Sequence, residues 1–257
     1  MYATLTLALI PVQVVLRQLG SSHAARLPMA YHRWCCRILG IRVVVRGTME
    51  TSRPMLFVAN HSSYSDITVL GSVINGSFVA KAEVASWPLF GYLAKLQNSV
   101  FVDRAGIKAR EQRDGMIKRL SAGDNLILFP EGTSDDGNHV LPFKSALFSV
   151  AQHRLESGDT IKIQPVSIAY TRLDDMPTGR ALKPYFAWYG DMELASHMWE
   201  LAGLGLITVE VVFHPTVAMS AFDSRKALAV HCHEAVSAGL SAANAGWPQI
   251  PTENLSL

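Results

Sequence analysis

Short apolar runs alternate along the chain with polar, charge-bearing stretches, and that pattern predicts strands at residues 41–45, 55–59, 77–80, 99–102, 125–129, 161–170, 185–189 and 208–213. Between them, spacing near 3.6 predicts helices from about residue 66, over 87–93, 107–120, 146–155, 192–203 and 224–240, with Gly123 closing the third. Strands alternating with helices define an α/β fold: a single domain with a mixed, largely parallel sheet flanked by helices. Pro165 interrupts the 161–170 run, and because proline donates no ladder hydrogen bond, an edge or a bulge is expected there.

The amino-terminal part reads differently. Residues 1–16 carry no ionised side chain, and Arg17 follows the apolar run where a signal peptide would place its charge before it. The run is short for a full span, so an apolar helix that embeds in one leaflet or marginally spans is expected, tilted or kinked at Pro11. Residues 28–39 set Trp34 among His32, Arg33 and Arg37, which suits an amphipathic interfacial helix; a plain core-packing helix is the alternative. The resulting division is a membrane-associated segment at 1–40, a catalytic domain at 41–242 and a tail at 243–257.

Composition sharpens this picture. A 257-residue chain can bury one large core, and 49% hydrophobic with 17% charged residues is apolar for a soluble protein, as is the mean hydropathy of +0.18. The net charge of +2 conceals an asymmetry: up to Arg53 seven arginines face Glu50 alone, which fits an anionic membrane surface. Nucleic acid is not indicated, since no binding module accompanies those arginines. Cys35, Cys36 and Cys232 form no zinc or redox spacing, and a reducing, cytoplasmic environment follows.

Three strands then end in polar loops on what an α/β sheet makes one edge: Asn60-His61-Ser62-Ser63-Tyr64-Ser65-Asp66, Asp103-Arg104, and Pro130-Glu131-Gly132-Thr133-Ser134. His61 and Asp66 would stand about 140° apart on a regular helix, so His61 precedes the helix and the serines supply its cap. Asp66 can then turn back to one imidazole nitrogen and leave the other basic, as a general base for a hydroxyl requires. The alternative is a loop histidine beside a capping aspartate. No Gly-x-Ser-x-Gly elbow, Walker A loop or Gly-x-Gly-x-x-Gly fingerprint is present, which leaves a base without a nucleophile of its own.

The ordered set Asn60-His61-x4-Asp66, Val100-Phe101-Val102-Asp103-Arg104, Phe129-Pro130-Glu131-Gly132-Thr133 and Gln164-Pro165-Val166-Ser167-Ile168 resembles the four motifs of the glycerolipid acyltransferases, most nearly the lysophosphatidic acid branch. The resemblance covers roughly residues 40–215 and implies membrane-embedded amino-terminal helices ahead of the catalytic domain. It implies an acceptor site including Asn60 and the loop Glu131, Gly132 and Thr133, with Arg104 as a fork for the acceptor's phosphate or carboxylate. Glu131, itself negative, would hold Arg104 or a hydroxyl; an Arg104–Glu131 ion pair bracing two loops is the structural alternative. Lys81 is a contact for phosphate or for the acyl carrier, or else a solvated lysine, and Pro165 falls in the motif assigned to acyl-donor binding. No residue type marks the oxyanion donor; a backbone N–H of Ser62 to Tyr64 is the candidate.

The implied reaction is direct acyl transfer, without an acyl-enzyme, from acyl-ACP or acyl-CoA to the sn-2 hydroxyl of lysophosphatidic acid, giving phosphatidic acid. Another lysolipid, notably lyso-ornithine lipid, is the alternative acceptor, because some bacterial relatives in the family it resembles use it; Val100-Phe101-Val102, standing where many members have a phenylalanine-isoleucine pair, does not settle the headgroup. A thioesterase or a non-catalytic lipid-binding member are remoter readings. No metal or prosthetic group is called for, and the enzyme is expected at the inner membrane with its site facing the cytoplasm.

Overall fold

The computed structural model describes residues 1–102, 109–155 and 158–246. Its centre is a sheet of nine strands among the described residues: β1 (Ile41–Arg46), β2 (Met55–Ala59), β3 (Ser77–Lys81), β4 (Val100–Val102), β5 (Leu126–Leu128), β6 (Lys162–Leu173), β7 (Met176–Pro177), β8 (Ile207–Phe213) and β9 (Val217–Ala218). The spatial order is β1-β8-β6-β2-β5-β3-β4, with β7 and β9 paired to β6. From β6 through β4 every neighbouring pair is parallel, whereas β8 runs antiparallel to β6 and parallel to β1. β2, β5, β3 and β4 therefore deliver their carboxyl ends to the same edge.

Alternation places successive side chains on opposite faces, and β2 shows how both faces become buried. Met55, Phe57 and Ala59 pack with Val69 and Leu70 of α3 (Ser65–Val73), with Ile74 just after it, and with Cys36 of α2 (Leu27–Ile38). Leu56 and Val58 face the other layer, formed by Met116 and Leu120 of α5 (Ala109–Ser121), by Phe148, and by Leu228 and Cys232 of α7 (Arg225–Asn244). Ser224 caps α7 by accepting the Ala227 N–H at 3.1 Å.

The amino-terminal helices are tied to this body. α1 (Tyr2–Gln18) runs without a break through Pro11, and its buried Gln13 donates to the carbonyls of Ala24 and of Leu96 in α4 (Phe90–Leu96) at 2.9 and 3.1 Å. α2 packs on the core by one face, as the core-packing alternative expected. One face buries His32, Cys35 and Cys36 against α3, and the other exposes Trp34 with the Arg37 guanidinium 5.2 Å from its ring. Among the described residues no helix is long and apolar enough to cross a membrane, which removes the spanning option for α1.

Three expectations are corrected. Residues 185–189 form no strand: after a tight turn at Lys183–Tyr185 the segment is irregular up to the helix α6 (Leu194–Gly203). β6 already has β2 and β8 on its two sides and offers the aromatic run no ladder, and the run packs by its rings instead. Pro165 lies in an interior strand, opposite Val58 of β2. It is tolerated because on its other side it occupies the gap between the β9 pairing, which ends at Ile163, and the β8 pairing, which begins at Val166. Residues 145–152 form 3-10 turns where an α-helix was expected.

Phe57, 1% exposed and central to the α2–α3 layer, sets a test of this packing. Phe57→Ala should lower the unfolding free energy by about 3–5 kcal/mol in a urea titration with unchanged m. A loss under about 1 kcal/mol would contradict the packing.

Candidate active site

The loop after β2 is held from both sides. Asn60 is buried, and its amide pairs with the Ile168 backbone through Nδ2 to the carbonyl at 2.9 Å and through Oδ1 from the N–H at 2.8 Å. This continues the β2–β6 ladder by a side chain and fixes where His61 leaves the sheet. On the opposite side Glu131, from the loop after β5, accepts the His61 N–H at 2.7 Å and the Leu141 N–H at 2.8 Å. The Asp135 N–H closes the frame on the His61 carbonyl at 3.2 Å.

Within that frame the imidazole is oriented. Asp66, fully buried in the first turn of α3, accepts His61 Nδ1 at 2.9 Å and the N–H groups of Ser62 and Ser63 at 2.7 and 2.9 Å, all on Oδ2. An ionised carboxylate only accepts, so Nδ1 carries the proton and Nε2 keeps its lone pair. No described residue bonds Nε2, and the side chain remains 21% exposed. The ring stacks on Phe129 at 4.1 Å and 16°, and Phe129 stacks on Phe78 in turn. The face of the base is thereby covered while its edge stays reachable.

Glu131 is 2% exposed, and burial pushes its pKa up to about 8. The N–H bonds from Leu141 and His61 pull it down, and the nearby charges of Asp66 and Asp135 raise it. Its two oxygens thus each brace a backbone N–H. The amide oxygen and nitrogen of Asn60 likewise both serve the Ile168 backbone. Pro165 is buried in β6 with its carbonyl on the His214 N–H at 3.0 Å, so it shapes the sheet and offers no surface to an acyl donor. Asp103 and Arg104 lie outside the described residues.

The remaining motif residues sit at the rim. Gly132 has φ +68°, which favours glycine, and an added Cβ would stand 2.6 Å from the mobile end of Lys144 at Nζ. Thr133 is exposed beside it, and Lys81 at the end of β3 is 3.7 Å from Glu83. Ser62 and Ser63 give their N–H groups to Asp66, which leaves Tyr64 of the three candidates for an oxyanion donor.

Several residues escaped the sequence reading. The run 185–189 forms an aromatic wall: the Trp188 N–H donates to the Ser62 carbonyl at 2.8 Å, and its ring meets Tyr64 and Trp87 edge-on, each at 6.1 Å. Phe129 and Tyr170 were legible only as strand residues, and Lys144 and Asp135 as loop charges; adjacency to the motifs was their only signal. A separate cavity, lined by Arg53, Asn75, Gln97, Arg119 and Asn125, opens at the amino-terminal ends of β2, β3 and β5, away from His61.

The site is thus an oriented, solvent-reachable imidazole at the carboxyl edge of an α/β sheet, with no nucleophilic side chain bonded to it among the described residues. Residues 40–169 match the acyltransferase family model, and the chain belongs to that family. It is 43% identical to lyso-ornithine lipid O-acyltransferase of Brucella abortus across 94% of this chain and 92% of that protein. It is 30% identical to 1-acyl-sn-glycerol-3-phosphate acyltransferase of Neisseria gonorrhoeae, over 76% and 72% of the two chains. The crystal structure of the 1-acyl-sn-glycerophosphate acyltransferase PlsC of Thermotoga maritima superposes with a TM-score of 0.64 at 25% identity, covering 96% of this chain and 98% of that one.

Glu131→Gln tests the brace. An amide cannot accept from both N–H groups, so the variant should be destabilised by about 1–3 kcal/mol at pH 5. A carboxyl whose folded pKa is raised contributes stability that is complete below its unfolded value of 4.5 and is lost as pH rises through about 8. The advantage of the wild type over the variant should therefore narrow across that window in chemical-denaturation curves; a gap that widens would refute the assignment.

Proposed function

We propose that this acyltransferase moves an acyl chain from a carrier thioester, acyl-ACP or acyl-CoA, to the hydroxyl of a lysolipid with an amino-acid headgroup, as the name lyso-ornithine lipid O-acyltransferase describes. The observation that carries the acceptor is the 43% identity to the Brucella abortus protein over nearly all of both chains, against 30% to the 1-acyl-sn-glycerol-3-phosphate enzyme. Lysophosphatidic acid, the acceptor that the motifs alone favour, is the second reading, supported by the likeness to the Thermotoga maritima enzyme.

The charges at the rim agree with an amino-acid headgroup. Asp135 has no ion-pair partner among the described residues and sits on the His61 carbonyl, while Asp136 is held by Asn138 through its N–H and its amide, both at 2.9 Å. Lys144 Nζ stands across Gly132. The acceptor loop thus offers both signs to a group bearing an amine and a carboxylate, whereas a phosphate would meet the Asp135 charge.

In the reaction, His61 Nε2 takes the proton of the lysolipid hydroxyl as its oxygen attacks the thioester carbonyl. The tetrahedral adduct collapses to the ester, the thiolate departs, and the imidazolium returns the proton to sulfur. Asp66 stabilises the imidazolium between those events. The aromatic wall of Tyr64, Trp87 and Trp188 suits the flank of an acyl chain. We place the enzyme on the cytoplasmic face of the inner membrane, with Leu7, Val12, Val15 and Leu19 of α1 and its flank embedded in one leaflet and Arg17 and Lys95 toward anionic headgroups.

The test is acyl transfer from a labelled acyl-carrier thioester with lyso-ornithine lipid and lysophosphatidic acid offered side by side. Lyso-ornithine lipid should be acylated in preference, and His61→Ala should lose about 10²- to 10⁴-fold or more of kcat. Product from lysophosphatidic acid alone would overturn the acceptor, and full activity in His61→Ala would overturn the mechanism.

A further inference from the structure

We propose that Tyr170 is a positioning residue for acyl transfer: its hydroxyl, backed by Ser65, fixes the Asp66 carboxylate and thereby the basicity and orientation of His61. The inference rests on the reading of His61 and Asp66 as the base pair of the reaction.

Asp66 Oδ2 has three donors, from His61, Ser62 and Ser63, and Oδ1 accepts the Tyr170 hydroxyl at 2.8 Å. A buried carboxylate with one oxygen unpaired can swing about its Cβ–Cγ bond, whereas one held at both oxygens keeps a single plane. Tyr170 is itself immobile, buried in β6 and stacked on Phe186 at 5.6 Å and 14°. Its oxygen lies 2.6 Å from Ser65 Oγ. The phenol has one proton and gives it to Asp66, so Ser65 must donate to the phenol. The chain of bonds runs Ser65 to Tyr170 to Asp66, with His61 donating to the same carboxylate from the other side.

Burial first, and then the Asp66 charge, raise the phenol's pKa well above its ordinary value, so it remains a neutral donor through the working range. The other titratable groups around the pair are Glu131 and Asp135 on the loop after β5, Cys36 of α2, and Lys183. Lys183 donates its Nζ to the Tyr170 carbonyl and to Asn244 Oδ1, and burial lowers its pKa to about 8. None of these donates a hydrogen bond to Asp66. Removing the phenol proton donor strips Oδ1 of its only partner among the described residues. With one donor fewer the ionised carboxylate is the stronger acceptor, binds the imidazolium more tightly, and neutral His61 appears at higher pH.

The experiment compares the full-length wild type with Tyr170→Phe and Ser65→Ala by thioester-dependent acylation of lyso-ornithine lipid and by a ¹⁵N titration of the His61 imidazole. Tyr170→Phe should lower kcat by about tenfold with the acceptor KM within about twofold. The His61 titration and the acidic limb of kcat should move up together by roughly 0.5–1 pH unit, and Ser65→Ala should show a smaller shift of the same sign. A folded Tyr170→Phe with wild-type kcat and an unmoved titration, or a loss confined to KM, overturns the assignment. Should Tyr170→Phe fail to fold, Ser65→Ala decides, and an unmoved His61 titration in it is the overturning result. The titration needs no acceptor, so failure of the wild type on lyso-ornithine lipid would remove that acceptor without bearing on the role of Tyr170.

Discussion

The buried carboxylate of Asp66 is the constraint around which the rest of this enzyme is arranged. A charge with no exposed surface is tolerable only when its lone pairs are met by donors, and four meet it: an imidazole, two backbone N–H groups and a phenol. Those donors come from the loop after β2 and from β6, two neighbouring strands of the sheet. Satisfying one buried charge therefore fixes the turn from β2 into α3, the tautomer of His61 and the relation of that turn to the sheet. Catalytic geometry and local stability rest on the same bonds.

The parallel half of the sheet makes this arrangement possible. Because β2, β5, β3 and β4 end at one edge, residues far apart in the chain reach the same small volume from the loops that follow those strands. Glu131 comes from the neighbour of β2 on one side and Asn60 binds the neighbour on the other, so the His61 backbone is gripped by the strands that flank it. The polar groups that look like substrate contacts in sequence are here largely backbone braces. What they leave open is the edge of one imidazole and a rim that carries Lys144, Thr133 and Asp135.

An acyltransferase must bring an acyl donor and an acceptor together, and on the function proposed above they meet at that one nitrogen. On the same proposal the aromatic wall of Trp87, Trp188 and Tyr64 flanks the acyl chain, while the apolar, arginine-flanked amino-terminal helices face the lipid. If that proposal holds, the headgroup is distinguished at the rim, where the charge on a few loop residues weighs more than the base itself.

The sequence by itself determined the α/β class, most strands, the helix after His61 and the His61–Asp66 pair, since each is written in a local pattern: apolar period, strand-end polarity and a five-residue spacing. Only the tertiary structure decided what the partners of those residues are. Residues 185–189 read as a strand because aromatic runs favour strands, yet β6 had no free side to pair them, and they became a wall instead. Asn60, Glu131 and Pro165 read as ligand contacts because their motif neighbours touch the site, yet burial turned their polar atoms toward the backbone. Tyr170 was silent, an aromatic at the end of a strand run, until β6 was laid beside β2 and its hydroxyl met Asp66. Local pattern specifies which way a side chain points along its own element. Which group waits there is a property of sheet order, and that depends on contacts more than a hundred residues apart in the chain.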